Sequence, residues 1–198
     1  MSISESWAER LPFLEPLSVA WKPVSRPVFF IALGFYALFL FQLTRGGGFP
    51  PYMDLVFVPV HEGGHLLFRF CGEFVAVAGG TLQQLGVPLM LASYFVFHRQ
   101  VQGAAFCMFF FFEQFLPIAT YMADARAQEL PLLTVGDSDD VIHDWNYLFT
   151  RLGVLDHDTQ IAQAMRAIGW IGMLATVGWM VWRSLRSQEA EAGQTGIS

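Results

Sequence analysis

The sequence predicts an all-α, polytopic integral membrane protein with about five transmembrane helices and amphipathic helices at the membrane surface. Hydrophobic residues make up 54% of the chain and charged residues only 14%, whereas a typical soluble domain has about 25% charged residues. The mean hydropathy is +0.43. The apolar residues are gathered in segments long enough to cross a hydrocarbon layer of about 30 Å. We therefore expect a multi-pass protein of a bacterial-type inner membrane or a plasma membrane.

This composition excludes several classes of protein. A soluble enzyme of this size could not bury so much apolar surface. The formal net charge of −6 argues against a nucleic-acid-binding protein, which presents a basic face. The expected surroundings are the lipid bilayer, with no nucleic acid as a partner. The chain begins MSISESWAER, which lacks the basic-then-apolar order of a cleavable signal peptide, so we expect the first span to remain in the mature protein.

Residues 1–26 are predicted to form an amphipathic segment, with a helix over residues 5–20 that lies on the membrane. The membrane domain, residues 27–126, is predicted to hold the first four spans. The five segments that we predict to span the membrane are 27–44, 53–71, 74–97, 100–123 and 160–183. The first has no charged residue and reaches about 27 Å at 1.5 Å per residue. Glycines and prolines follow it and end the helix.

The other spans differ in their polar content. The second span carries an unusual number of ionisable side chains for a membrane helix, whereas the third has no charged residue. The fourth has Glu113 as its single charged residue. The polar tail after the fifth span, residues 184–198, is predicted to be disordered.

An acidic loop, residues 127–159, joins the fourth and fifth spans. The stretch from Asp124 to Asp158 carries a formal charge of −6, which equals the net charge of the whole chain. Within it, residues 138–152 have apolar residues at spacings of three and four, which predicts an amphipathic helix. Ser138 is a suitable cap for this helix and Gly153 a suitable stop.

The second span contains the motif that points to chemistry, since residues 61–65 read His-Glu-Gly-Gly-His. Positions i and i+4 share one face of a helix, so His61 and His65 can bind one Zn²⁺ together. Glu62 can then act as general base towards a zinc-bound water. Ionisable groups inside a membrane are costly without partners, and this makes them functional candidates. The alternative is a buried polar network in which neighbouring spans satisfy both histidines.

The HExxH motif within a membrane helix resembles the site-2-protease family of intramembrane zinc metallopeptidases. Gly64 matches the family's frequent glycine before the second histidine, and the resemblance covers about residues 53–126. It implies a three-span core in which an aspartate of the third span is the last protein ligand of the metal. Here that span contains Gln114-Phe115-Leu116-Pro117-Ile118, and Asp124 follows seven residues after Pro117. The resemblance therefore implies that His61, His65 and Asp124 bind the zinc, although the aspartate pattern matches only in part.

Further polar residues are candidates for supporting or substrate-binding roles. They are Gln83, Gln84, Glu113, His143 and Asp144. The two glutamines need hydrogen bonds inside a helix bundle, where they could bind a peptide backbone or join helices. Glu113 could face the same interior as the motif or serve as a buried polar partner. The His143–Asp144 pair could complete the site from the loop helix or could simply face water.

These features together predict a zinc-dependent intramembrane metallopeptidase. It would hydrolyse peptide bonds of membrane-embedded or membrane-proximal protein substrates, with zinc-bound water as nucleophile and Glu62 as general base. Two alternatives remain at this point. One is a non-catalytic membrane protein that uses His61 and His65 for structural or regulatory metal binding. The other is a membrane zinc hydrolase with a non-peptide substrate.

Overall fold

The computed structural model describes residues 20–45, 51–130 and 143–195. Seven α-helices and two short 3₁₀ turns, at Arg69–Cys71 and Leu155–His157, are present in these ranges, and the described residues form no strand. The helices are α1 Arg26–Thr44, α2 Pro51–Phe68, α3 Glu73–Phe97, α4 Val101–Glu113, α5 Phe115–Ala123, α6 Asp144–Leu152 and α7 Asp158–Thr195. The predicted helix over 5–20 lies outside the described residues, as does the start of the one predicted over 138–152.

Four stretches among the described residues are long and apolar enough to cross a membrane. They are Arg26–Thr44, Glu73–Phe97, Val101–Ala123 and Leu155–Ser187. The sequence predicts five such spans, and the helix that differs is α2. The ionisable residues of its HExxH motif lower its hydropathy, so α2 does not belong to this group.

The predicted fourth span is divided into α4 and α5 at Gln114. Pro117 accounts for the interruption, because proline has no N–H to donate to the carbonyl of Glu113 four residues earlier. Helical geometry resumes at Phe115.

The last helix is longer than expected. Residues 184–198 are predicted to be disordered, whereas α7 continues to Thr195. Residues 188–192 of this segment, Gln-Glu-Ala-Glu-Ala, are good helix formers. Polar composition alone therefore does not end this helix.

Helices α1, α4 and α7 pack through an apolar core. Its largest fully buried side chains include Tyr36, Phe109, Met173 and Met180. Phe35 and Phe39 of α1 contact Phe106 and Phe110 of α4 in the same order along the chain. These two helices therefore run in the same direction.

Helices α2 and α3 form an antiparallel pair whose backbones touch. A Cβ atom on Gly64 would collide with the carbonyl oxygen of Gly79, and one on Gly79 would lie 2.6 Å from the oxygen of Gly64. Glycine at both positions is what permits this approach. The close contact brings the motif of α2 against the α3 backbone. Helix α6 then packs beside α3 and α5, at the place where the motif faces.

Candidate metal centre

His61 and His65 lie on the face of α2 that is turned towards α3. Their ring centroids are 4.8 Å apart. A Cβ atom on Gly80 would lie 2.5 Å from Nε2 of His61 and 2.6 Å from Nε2 of His65. The helical spacing therefore places both imidazoles on one side, as the sequence predicts, and the absence of a side chain at residue 80 leaves room beside both Nε2 atoms on the side of α3.

The Nδ1 atoms of both rings are engaged with oxygen acceptors. His65 Nδ1 lies 2.9 Å from the carbonyl oxygen of Ala76, and this oxygen can only accept. His65 therefore carries a hydrogen on Nδ1. His61 Nδ1 lies 3.0 Å from Oε1 of Gln84 and donates to it in the same way. Since the second nitrogen of a neutral imidazole is then an acceptor, each Nε2 can offer a lone pair.

Asp144, the first residue of α6, supplies a third candidate ligand atom. Its Oδ2 lies 2.9 Å from Nε2 of His61 and 3.3 Å from Nε2 of His65. The carboxylate is largely buried. The backbone N–H of Asp144 donates to the hydroxyl of Tyr121 on α5 at 3.1 Å, which anchors the start of α6.

These three residues fit a divalent metal ion. Their candidate ligand atoms all lie within 4.8 Å of one another. Zinc bonds to nitrogen and oxygen are about 2.0–2.2 Å long, which puts two ligand atoms of one tetrahedral ion roughly 3.3 Å apart. A ring nitrogen whose partner nitrogen donates to a carbonyl is the usual arrangement of a metal-binding histidine. Two nitrogens and one carboxylate oxygen also match the donor set of catalytic zinc sites, which keep a fourth position open.

Asp124, the aspartate that the family resemblance implies as a metal ligand, lies outside this group. Its carboxylate oxygens accept hydrogen bonds from the backbone N–H groups of Glu129 and Leu130, at 2.9 and 3.1 Å. Its Oδ2 also lies 3.3 Å from Nε2 of His143. Asp124 follows the last residue of α5 and ties down the chain after it. The structure thus places Asp144, rather than Asp124, beside the two histidines.

His143 precedes α6 and caps it. Its Nδ1 accepts a hydrogen bond from the backbone N–H of Asn146 at 3.2 Å, and its ring lies 4.3 Å from that of Tyr121, centroid to centroid. The two residues of the predicted His143–Asp144 pair therefore have different contacts. His143 organises the start of the helix, and only Asp144 reaches the motif.

The remaining candidates lie around the same place. Gln84 contacts His61 directly, and Glu113 is connected to it through Gln114. The Nε2 atom of Gln83 lies near Gly63, while its buried Oε1 has no hydrogen-bond partner among the described residues. Glu62 is partly exposed, and its carboxylate is close enough to His65 to interact with it electrostatically.

Sequence reasoning did not identify three residues of this site. Gly80 and Tyr121 carry no motif, and Gln114 enters the sequence argument only as part of the pattern before Pro117. A glycine in the third span was a detectable signal for close helix contact, but a tyrosine near a span end was not distinguishable from an interfacial anchor.

No protein-family model, no curated protein and no solved structure matches this chain.

Proposed function

We propose that this protein is a membrane-embedded zinc metallopeptidase in which His61, His65 and Asp144 bind the metal and Glu62 is the general base. One observation supports this most directly. Two imidazoles whose Nδ1 atoms meet oxygen acceptors place both Nε2 atoms within 3.3 Å of one carboxylate oxygen. When both imidazoles are neutral with their hydrogens on Nδ1, three acceptors meet in this small volume, and they repel one another unless a cation lies between them. The HExxH resemblance favours peptide hydrolysis over other hydrolytic reactions.

Each residue then has a defined task. Bound zinc would supply Lewis acidity, which polarises a carbonyl group and lowers the pKa of water. Glu62 takes the proton of the attacking water and passes it to the leaving amine. The free acceptor on Gln83 is suited to receive an N–H of the substrate backbone. A substrate helix would first unwind locally, because its amides are already hydrogen-bonded.

The position of the site along α3 supports action within the membrane. His65 contacts Ala76, in the first turn of this apolar helix, and His61 contacts Gln84, near its middle. At 1.5 Å per residue, the site extends from about 5 to 17 Å from the start of α3. This range lies within one half of a helix that is long enough to cross a bilayer, and α6 would reach it from the adjacent membrane surface.

Helix direction supports four crossings, with α2 entering the membrane and returning to the same side. Helix α1 is parallel to α4, and both α2 and α4 are antiparallel to α3. Consequently α1 and α2 run in the same direction. The chain between Thr44 and Pro51 can extend at most about 25 Å, which is less than the roughly 30 Å needed to return across the hydrocarbon layer. We therefore propose that α2 is re-entrant and that residues 26 and 187 face the same compartment.

The test measures metal content and peptide cleavage on detergent-purified protein. Wild type should contain one equivalent of zinc and cleave a fluorogenic library of transmembrane-segment peptides in proteoliposomes. Glu62→Gln should retain zinc and lose cleavage by at least about 100-fold, which is the lower range for removing a general base. Glu129→Gln, the same chemical change at an exposed position, should resemble wild type.

The results also separate the alternatives. Stoichiometric zinc without cleavage of any peptide would favour a structural metal site or a non-peptide substrate. Cleavage that persists in Glu62→Gln would exclude Glu62 as the base. Protein that binds no zinc would overturn the proposal altogether.

A further inference from the structure

Three buried polar side chains connect His61 to the interior of the apolar bundle. They are Gln84 of α3, Gln114 between α4 and α5, and Glu113 at the end of α4, with exposed fractions of 8%, 2% and 1%. Gln84 Nε2 donates to Gln114 Oε1 at 2.7 Å, and Gln114 Nε2 donates to Glu113 Oε2 at 2.7 Å. His61 Nδ1 lies 3.0 Å from Gln84 Oε1 and begins the series.

All the hydrogen bonds of this series point in one direction, from His61 towards Glu113. Because an ionised carboxylate can only accept, an ionised Glu113 would enforce the observed direction, in which Gln114 presents its amino group to Glu113 Oε2. Its carbonyl oxygen is then left for Gln84, which must donate in turn. The carbonyl oxygen of Gln84 consequently faces His61 and requires a hydrogen on Nδ1. A carboxylate two side chains away thereby selects the tautomer of the imidazole.

The opposite direction would disable His61 as a ligand. If the side-chain amides of Gln84 and Gln114 were both rotated by 180°, Gln84 would donate to Nδ1 of His61, and the ring hydrogen would move to Nε2. That hydrogen would point at Oδ2 of Asp144, where the metal is proposed to bind. The tautomer of His65 has no such alternative, because the backbone carbonyl of Ala76 cannot donate a hydrogen bond. Only one of the two histidines therefore depends on a side-chain partner that can turn over.

We propose that Glu113 is a positioning residue that fixes the direction of this hydrogen-bond series and so keeps Nε2 of His61 available to the metal. The inference rests on the proposed zinc site but concerns residues that do not touch it. Partners of metal-binding histidines typically change metal affinity by about 10- to 100-fold when they are replaced. Here the effect is transmitted through two amide groups, with a buried carboxylate as its origin.

The experiment removes the carboxylate at residue 113 and, in a second variant, places it at residue 84 instead. Glu113→Gln keeps size and hydrogen-bonding capacity but permits both directions, so zinc affinity, measured by chelator competition, should fall by about 10- to 100-fold. In the double variant Glu113→Gln with Gln84→Glu, an acceptor-only group faces His61 directly and the net charge of wild type is restored. Zinc affinity should return to within about threefold of wild type, a recovery that loss of packing at residue 113 would not allow. Glu129→Gln serves as the matched control and should bind as wild type does.

A spectroscopic measurement tests the tautomer of His61 directly and does not depend on zinc affinity. In the metal-free protein with ¹⁵N-labelled imidazoles, where no metal imposes the tautomer, two-bond ¹H–¹⁵N spectra should show a slowly exchanging Nδ1–H of His61 in wild type and in the double variant. In Glu113→Gln this resonance should broaden through exchange. His65, whose partner is a backbone carbonyl, should be unchanged and provides an internal reference.

The possible failures are distinguishable. Absence of zinc in wild type would overturn the proposed function. Normal zinc binding in both wild type and Glu113→Gln would leave the metal site intact and overturn the role of Glu113. If Glu113→Gln does not fold, the double variant alone decides, because weak zinc binding in that folded protein would equally contradict the proposal.

Discussion

Two histidine–aspartate clusters lie side by side in this protein, and they use opposite nitrogens. In the first cluster, His61 and His65 donate from Nδ1 and direct Nε2 at Asp144. In the second, His143 accepts at Nδ1 from the backbone of Asn146. The residue types are the same, but the partner of Nδ1 differs. That partner, more than the presence of a carboxylate, determines whether a histidine offers a lone pair to a metal.

The second cluster is built for structure. With Nδ1 of His143 accepting, the ring hydrogen of the neutral imidazole lies on Nε2, which is 3.3 Å from Oδ2 of Asp124 but makes no hydrogen bond among the described residues. Both oxygens of Asp124 already accept backbone hydrogen bonds. Because no lone pair of His143 is directed at that carboxylate, the cluster has little to offer a cation. It joins the end of α5 to the start of α6, and this is where Asp144 is held.

Replacing the two aspartates one at a time gives the largest expected difference. Asp144→Ala removes a proposed ligand, so zinc affinity should fall by more than the 10- to 100-fold typical of a supporting residue. Asp124→Ala should keep one equivalent of zinc, with an affinity within about tenfold of wild type. Metal analysis and chelator competition on both variants provide the measurement. The opposite ranking would assign the ligand role to Asp124, as the family resemblance implies.

The part of the site that could be predicted from the sequence is local. His61 and His65 are one helical turn apart, so spacing alone predicts that they share a face, and the structure confirms this. Asp144 is 83 residues from His61 along the chain, and no periodicity records such a contact. Its position in the first turn of an amphipathic helix has an ordinary explanation, because acidic residues are common there.

In the fold, too, local features could be predicted from the sequence, whereas contacts between distant segments could not. Apolar length predicts four of the helices that could cross a membrane. The apolar residues of the motif helix α2 flank the ionisable ones, and their pattern predicts a fifth span. Hydropathy does not encode the direction of α2 relative to α1, which follows from the backbone contact between Gly64 and Gly79. Glycine contacts of this kind depend on which helices become neighbours.

Glycine substitutions on α3 sharpen the comparison, because Gly80 lies directly beside both histidines of the first cluster. In Gly80→Ala the new Cβ would lie 2.5–2.6 Å from both Nε2 atoms, where it would displace the rings or exclude a metal. We expect loss of measurable zinc binding. In Gly86→Ala no atom lies within 4 Å of the new Cβ, and helix stability should rise by up to about 1 kcal/mol.

Metal analysis with thermal unfolding of the two variants checks this expectation. The control matters, since any alanine on α3 changes helix propensity, but only the one at residue 80 approaches the histidines. Wild-type zinc content in a folded Gly80→Ala protein would show that the metal, if present, does not lie between these rings.

The smallest expected effect is that of the structural histidine. His143→Ala removes the side chain that caps α6, which typically costs about 0.5–2 kcal/mol. Since Asp144 is the next residue, part of this cost should appear as weaker zinc binding, up to about tenfold for 1.4 kcal/mol. Zinc stoichiometry should remain one, in contrast to Asp144→Ala. His157→Ala, at an exposed position outside both clusters, should leave affinity and stability unchanged.

If His143→Ala instead abolished zinc binding as completely as Asp144→Ala, His143 would belong to the metal site and the distinction between the two clusters would be wrong. A modest loss of affinity with intact stoichiometry would mean that the cap acts only by holding α6 in place. Asp144 is part of α6, so weaker docking of this helix lowers the zinc affinity without removing the ligand.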